Sequence, residues 1–189
     1  MQLKPHDTVV ALKYGCLALE SVPDVARERI SVRSIAASLG LSAGEISKSC
    51  QRLLKAKLIA PVGGGDGSAL PYNLVRIHME EWLNYGIQYN VIAEPTGVGR
   101  GLVTGWSNTS IRSEFVPREL PYVWLVAGGD LTGEGVSPLY PNAAVAAGQD
   151  RHLHYILSLI DAIRLGKPRE IGIARALVRN FLEEVKDAQ

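Results

Sequence analysis

Between Ser31 and Leu58 the chain carries two short amphipathic helices in immediate succession, each with its own start and stop signal. Ser31 stands as an N-cap ahead of residues 32–39, where Ile35, Ala36 and Leu39 recur at helical spacing and form a buried side. Gly40 follows, a residue free to take the positive φ that ends a helix. Ser42-Ala43-Gly44-Glu45 then fits a capping box, in which a Ser side chain and a Glu side chain satisfy each other's backbone N–H groups. Ile46, Cys50, Leu53 and Leu54 form the next apolar stripe, and Leu58 closes it. The turn between the two helices is three or four residues long.

The flanking segments complete a small helical unit. Asp7 is placed to cap a first helix over 8–19, with Val9, Leu12, Cys16 and Leu19 on one stripe, and Pro23 and Asp24 interrupt it. Beyond Leu58, the extended runs 58–62 and 69–75 flank a flexible Gly63–Ser68 tip, which predicts a β-hairpin. A further helix is expected over 79–89. Residues 93–150 are rich in Gly and Pro and show no period beyond a strand expected at 122–127. Trp106, Phe115, Tyr122, Trp124 and Tyr140 argue against a solvated linker there, so the stretch reads as an irregular arm with aromatic anchors. Two last helices, 152–165 and 169–185, are separated by Gly166-Lys167-Pro168 and read as a helical hairpin. The expected fold is mainly α with a small β-hairpin, divided as 1–90, an arm over 91–150, and a dimerising hairpin over 151–189. A chain of 189 residues accommodates that division.

Charge is unevenly spread. The net charge is only +1, but residues 1–60 hold nine Lys or Arg against five Asp or Glu, and residues 61–130 hold four against seven. A local basic face binds phosphates even when the whole chain is nearly neutral. Apolar residues make up 47% and charged residues 21%, enough apolar surface for a packed core. Cys16 and Cys50 fall on apolar stripes and read as small buried hydrophobes, forming neither a disulfide framework nor a zinc site. The first residues lack a basic run followed by an apolar stretch, and no apolar run approaches the roughly 18–20 residues of a membrane span. The expectation is a cytoplasmic protein with no membrane partner.

The stretch from Ile30 to Ile59, with its two capped helices and the hairpin after it, resembles the winged helix-turn-helix of bacterial regulators such as the MarR group. The resemblance covers about residues 8–90. It implies that Ala36 sits where the two helices meet, that Ile46, Leu53 and Leu54 hold a recognition helix to its base, and that 59–75 is the wing. It also implies binding of double-stranded DNA by a homodimeric transcriptional regulator, a repressor by expectation, with helix 43–58 in the major groove. Turning that helix with its aliphatic stripe inward leaves Gly44, Ser47, Lys48, Gln51, Arg52 and Lys55 outward. Gln51 and Arg52 suit bidentate contacts to adenine and guanine edges; Lys48, Lys55, Ser42 and Ser47 suit phosphates or base edges. Arg33 on the preceding helix and Arg76 at the base of the hairpin are placed to reach phosphates. The tip of the wing carries Asp66 and no cation, so minor-groove contact by the tip is not expected. The alternative is a protein-interaction or adaptor module, such as the antitoxin-like half of a two-protein system.

Other signals are weaker. His152 and His154, two apart on a helix, point to different sides and do not match zinc-ligand spacing. Gly97-Val98-Gly99-Arg100-Gly101 is neither a P-loop nor a dinucleotide turn and reads as a loop. Ser107, Ser110 and Ser113 fall in no nucleophile motif, and neither an enzyme nor a cofactor is expected. Trp106, Trp124 and Tyr140 either line a small-molecule pocket or anchor the segment to a core or a partner chain, the partner being the favoured reading.

Overall fold

The computed structural model describes residues 2–20, 30–62, 70–116 and 119–189. The Gly63–Ser68 tip, Pro23, Asp24 and Asp66 lie outside the described residues. The chain is mainly helical and divides into two compact units, one of residues 1–80 with 182–189 and one of residues 81–181.

The first unit holds α1 (Pro5–Leu19), α2 (Val32–Leu39) and α3 (Ala43–Lys55), then an antiparallel pair, β1 (Ile59–Pro61) and β2 (Tyr72–Leu74). Both expected caps on α2 and α3 form. The Ser31 hydroxyl accepts from the Ser34 N–H at 3.1 Å, and the Ser42 hydroxyl accepts from the Glu45 N–H at 3.2 Å. Gly40 takes φ 62°, and the Leu41 N–H reaches back to the Ala36 carbonyl, the left-handed ending that Gly permits. At the end of α3 the same device is built on Lys57, at φ 57°. The N–H groups of Lys57 and Leu58 donate to the carbonyls of Leu54 and Leu53 and turn the chain into β1. Ile35 and Leu39 of α2, Ile46 and Leu53 of α3, and Leu12 of α1 are fully buried or nearly so. The thiols Cys16 and Cys50 are buried as expected.

Asp7 does not cap α1. The helix starts three residues earlier than expected, at Pro5, which needs no N–H partner in a first turn. Lys4 takes the cap position, and its N–H donates to the Asp7 carboxylate at 2.7 Å. Asp7 therefore lies inside the first turn, where a negative charge suits the helix dipole, and its second oxygen is free for another partner. All of residues 7–16 are buried, so α1 is a central helix, more enclosed than its apolar stripe implies.

The second unit departs further from expectation. α4 (Arg76–Glu81) crosses the boundary between the units and runs on through a π turn (Trp82–Gly86) into α5 (Ile87–Asn90). Within the stretch read as an irregular arm, the strand expected at 122–127 forms as β4 (Tyr122–Leu125), and it is joined by two that were not expected, β3 (Pro95–Val103) and β5 (Leu131–Val136), in a closed cycle. β4 lies antiparallel along the end of β3, with Leu102 opposite Trp124. β5 lies antiparallel along its start, with Gly99 opposite Gly133. Tyr122 and Val123 pair in parallel with Glu134 and Gly135, which closes the cycle. Gly101 pairs with Leu125 on one side and Leu131 on the other, so the loop between β4 and β5 passes over it.

Three strands can close only where the backbone approaches itself without side chains. A Cβ on Gly101 would run into the carbonyl of Trp124, and one on Gly133 into the carbonyl of Pro121. Gly97-Val98-Gly99-Arg100-Gly101 and Gly133-Glu134-Gly135 thus lie in strands: a Cβ would strike backbone at Gly101, Gly133 and Gly135, whereas Gly97 has open space around it and takes the positive φ, 95°, expected of a glycine in this run.

α6 (Ala143–Gly148), α7 (Arg151–Leu165) and α8 (Pro168–Ala188) follow, and α8 ends in the first unit. The Asp150 side chain caps α7 by accepting from the Leu153 N–H at 2.9 Å. α7 packs most closely on α6 and on a 3-10 turn at Gly105–Ser107, and it meets α8 where the rings of Tyr155 and Phe181 approach to 6.0 Å. Residues 153, 156, 157 and 159–163 of α7 are buried within the chain, so α7 is a core helix more than an apolar face left for a second copy. Among the described residues no helix is long and apolar enough to cross a membrane.

Candidate nucleic-acid interface

The outward arc of α3 is composed of residues 44, 47, 48, 51 and 55, which fall within a third of a turn or so of one another at 100° per residue. Gly44, Ser47, Lys48, Gln51 and Lys55 are all exposed. The arc contains no carboxylate and no apolar side chain. Glu45 at its margin is occupied: its carboxylate accepts from the Ser42 N–H at 2.8 Å and the Ser42 hydroxyl at 2.7 Å. Those donors hold the Glu45 carboxyl below its ordinary value. Ser42 is thereby spent on the cap, although it remains exposed. Ser47 turns its hydroxyl back to the Ala43 carbonyl at 3.0 Å and keeps acceptor capacity outward. Arg33, on the exposed side of α2, adds a cation.

Arg52 is a correction. It is 9% exposed, and its guanidinium faces α1. Nε donates to Asp7 Oδ2 at 2.6 Å and Nη2 to Asp7 Oδ1 at 2.5 Å, a bidentate pair. The Ser49 hydroxyl donates to Asp7 Oδ1 at 2.6 Å and accepts from Arg52 Nη2 at 3.2 Å. Burial by itself would raise the Asp7 carboxyl; the donors on Arg52, Ser49 and Lys4 outweigh it and hold the carboxyl below its ordinary value. Arg52 lies only 40° around the helix from Lys48, at the margin of the arc, and a long side chain there can lie along the protein or away from it. The buried carboxylate decides the matter. Arg52 is a clamp between α1 and α3 and is withdrawn from the candidate face.

Arg76 is a second correction. Its Nη1 lies 2.8 Å from Glu80 and 3.2 Å from Glu183, both in the first unit. Two carboxylates on one guanidinium offset the attraction that a phosphate would feel, so Arg76 is a structural ion pair. Lys57, by contrast, was no candidate from sequence, yet it is exposed at the turn just beyond Lys55. The signal was the cation pair flanking Ala56; its αL conformation was not readable, because a Lys is not expected there.

Comparison with protein-family models, with curated proteins and with solved structures finds no match to this chain.

Proposed function

We propose that the first unit is a winged helix-turn-helix that binds double-stranded DNA and that the protein is a transcriptional regulator. The observation that carries this reading is the acid-free arc of α3, with Lys48, Gln51 and Lys55 outward on a helix pinned by Ile46, Leu53 and the Asp7–Arg52 clamp. A rigid helix offering amide and ammonium donors fits the major groove, where base edges present acceptors and phosphates line the rim. Gln51 is the residue suited to a bidentate contact with adenine, and Ser47 lies one turn before it on the same arc. Lys48 and Lys55, with Arg33 and Lys57 beyond the arc, supply the sequence-independent attraction. A homodimer would present two such helices to half-sites about one DNA turn apart.

The test is selection of bound duplexes from a pool with a randomised central segment, carried out with the full chain and with Gln51→Ala. The expected result is an enriched motif with two half-sites, and loss of preference at the position that Gln51 reads, worth about 1–3 kcal/mol. Recovery of no enriched motif, together with a stable protein partner on co-purification, would replace this reading by an adaptor role.

A further inference from the structure

The connection between β3 and β4 folds back on itself in two 3-10 turns, Gly105–Ser107 and Arg112–Glu114, and beside them lies a pocket of about 660 Å³ in the second unit. Its size is that of a small-molecule site, about 300–1,000 Å³. The apolar lining comes from Val103, Trp106, Phe115, Pro121 and Leu131. The polar lining is concentrated in Thr109, Arg112 and Ser113, all exposed and within five residues of chain.

The pocket stands on a fixed base. The Thr104 hydroxyl and the Trp124 Nε1–H donate to the buried Asp161 carboxylate at 2.8 and 2.7 Å. Asn108 Nδ2 donates to the Ser158 hydroxyl at 2.9 Å, and the Tyr122 N–H donates to the Ser107 hydroxyl at 2.8 Å. These bonds tie both ends of the first turn to α7 and β4, so the cavity is formed before anything enters it.

Arg112 is the group that this arrangement does not use. Elsewhere in the unit, Arg164 donates to Asp161 at 2.6 Å and to the carbonyls of Val91 and Ser137, and Arg100 donates to the carbonyl of Gly129. The Arg112 guanidinium has no hydrogen-bond or ion-pair partner among the described residues, and it lines an aromatic pocket. A single guanidinium matches one planar carboxylate bidentately. Trp106 and Phe115 match a planar apolar body.

We propose that this pocket binds a small planar apolar monocarboxylate, its body against Trp106 and Phe115 and its carboxylate on Arg112, with Thr109 and Ser113 hydroxyls as further donors. The site lies outside residues 8–90 and is independent of the DNA-binding reading.

Calorimetric titration of the full chain with 1-naphthoate, and with neutral 1-naphthamide of nearly the same shape, tests it without any DNA. The expected result is saturable one-to-one binding of 1-naphthoate, about tenfold tighter than 1-naphthamide, as a charge-assisted hydrogen bond implies. Arg112→Gln removes that preference and leaves 1-naphthamide binding unchanged. Thr109→Trp, an exposed position on the lining, weakens both probes. No saturable binding of 1-naphthoate up to about 5 mM, where affinity falls to roughly 3 kcal/mol, overturns the proposal. A carboxylate preference that survives Arg112→Gln, or binding of both probes unchanged by Thr109→Trp, overturns it equally.

Discussion

Each unit of this molecule is built on a buried Asp–Arg pair, and the two pairs do different work. In the first unit Asp7 and Arg52 are 45 residues apart, and their bidentate contact joins the first turn of α1 to the last turn of α3. In the second unit Asp161 and Arg164 are neighbours on one helix, 2.6 Å apart. Their contact joins nothing by itself; it orients both groups toward others. Asp161 collects donors from Thr104 and Trp124, and Arg164 collects the carbonyls of Val91, Ile92 and Ser137. The first pair is a tertiary clamp and the second a hub for irregular backbone. A unit of regular helices needs a clamp. The second unit has irregular connections at residues 91–92 and 137 whose carbonyls need donors, and an arginine with five donors supplies them.

The glycine strands are where the second unit breaks most readily. Gly101→Val places a branched side chain against the Trp124 carbonyl and the overlying loop, and we expect that unit to lose its cooperative urea transition. A variant with wild-type melting would remove the close-approach account of the closed sheet. Next in size is the clamp. Removing either partner leaves the other charge buried, so Asp7→Ala and Arg52→Ala each cost about 3–5 kcal/mol in urea denaturation. The same pair carries a pH signature. The folded-state carboxyl of Asp7 is held low, so its contribution is complete above the unfolded value and drains away as pH falls below about 4. An Asp7→Asn variant should lose that acid-side slope while the parent keeps it; equal slopes would show the clamp to be idle. The smallest effect is at Lys57, whose φ of 57° suits Gly. Lys57→Gly should stabilise the first unit by about 0.5–1 kcal/mol, and destabilisation would mean the side chain is needed there.

Legibility followed the range of the physical signals. Ser31, Gly40 and the Ser42–Glu45 box act within four residues of themselves, and α2 and the start of α3 stand where the sequence places them; α3 stops at Lys55, three residues short of the expected 58, because Lys57 turns left-handed. Arg52 was misread because its partner lies in another helix; charge and periodicity alone put a long cation at the margin of an exposed arc on the exposed side. The closed sheet was missed for a different reason. Gly is a poor strand former, and alternation is sought among apolar residues, so Gly97, Gly99 and Gly101 looked like loop. Of the three, Gly101 is where a Cβ would strike backbone; Gly99 faces the movable Leu125 side chain, and Gly97 has open space and a positive φ. Trp106 lines a pocket and Trp124 is buried on Asp161, so these aromatics serve their own unit, not the partner chain that was favoured.

Whether the outward arc of α3 meets a polyanion is read directly by the salt dependence of binding to a labelled random-sequence duplex. The full chain should bind with an affinity that falls linearly on a log–log plot. Lys48→Ala/Lys55→Ala, both at exposed positions, should lower the slope by about 1.8 units, roughly 0.9 for each lost phosphate contact, with melting unchanged. An unchanged slope in the double variant, or no binding at about 50 mM salt, would contradict it.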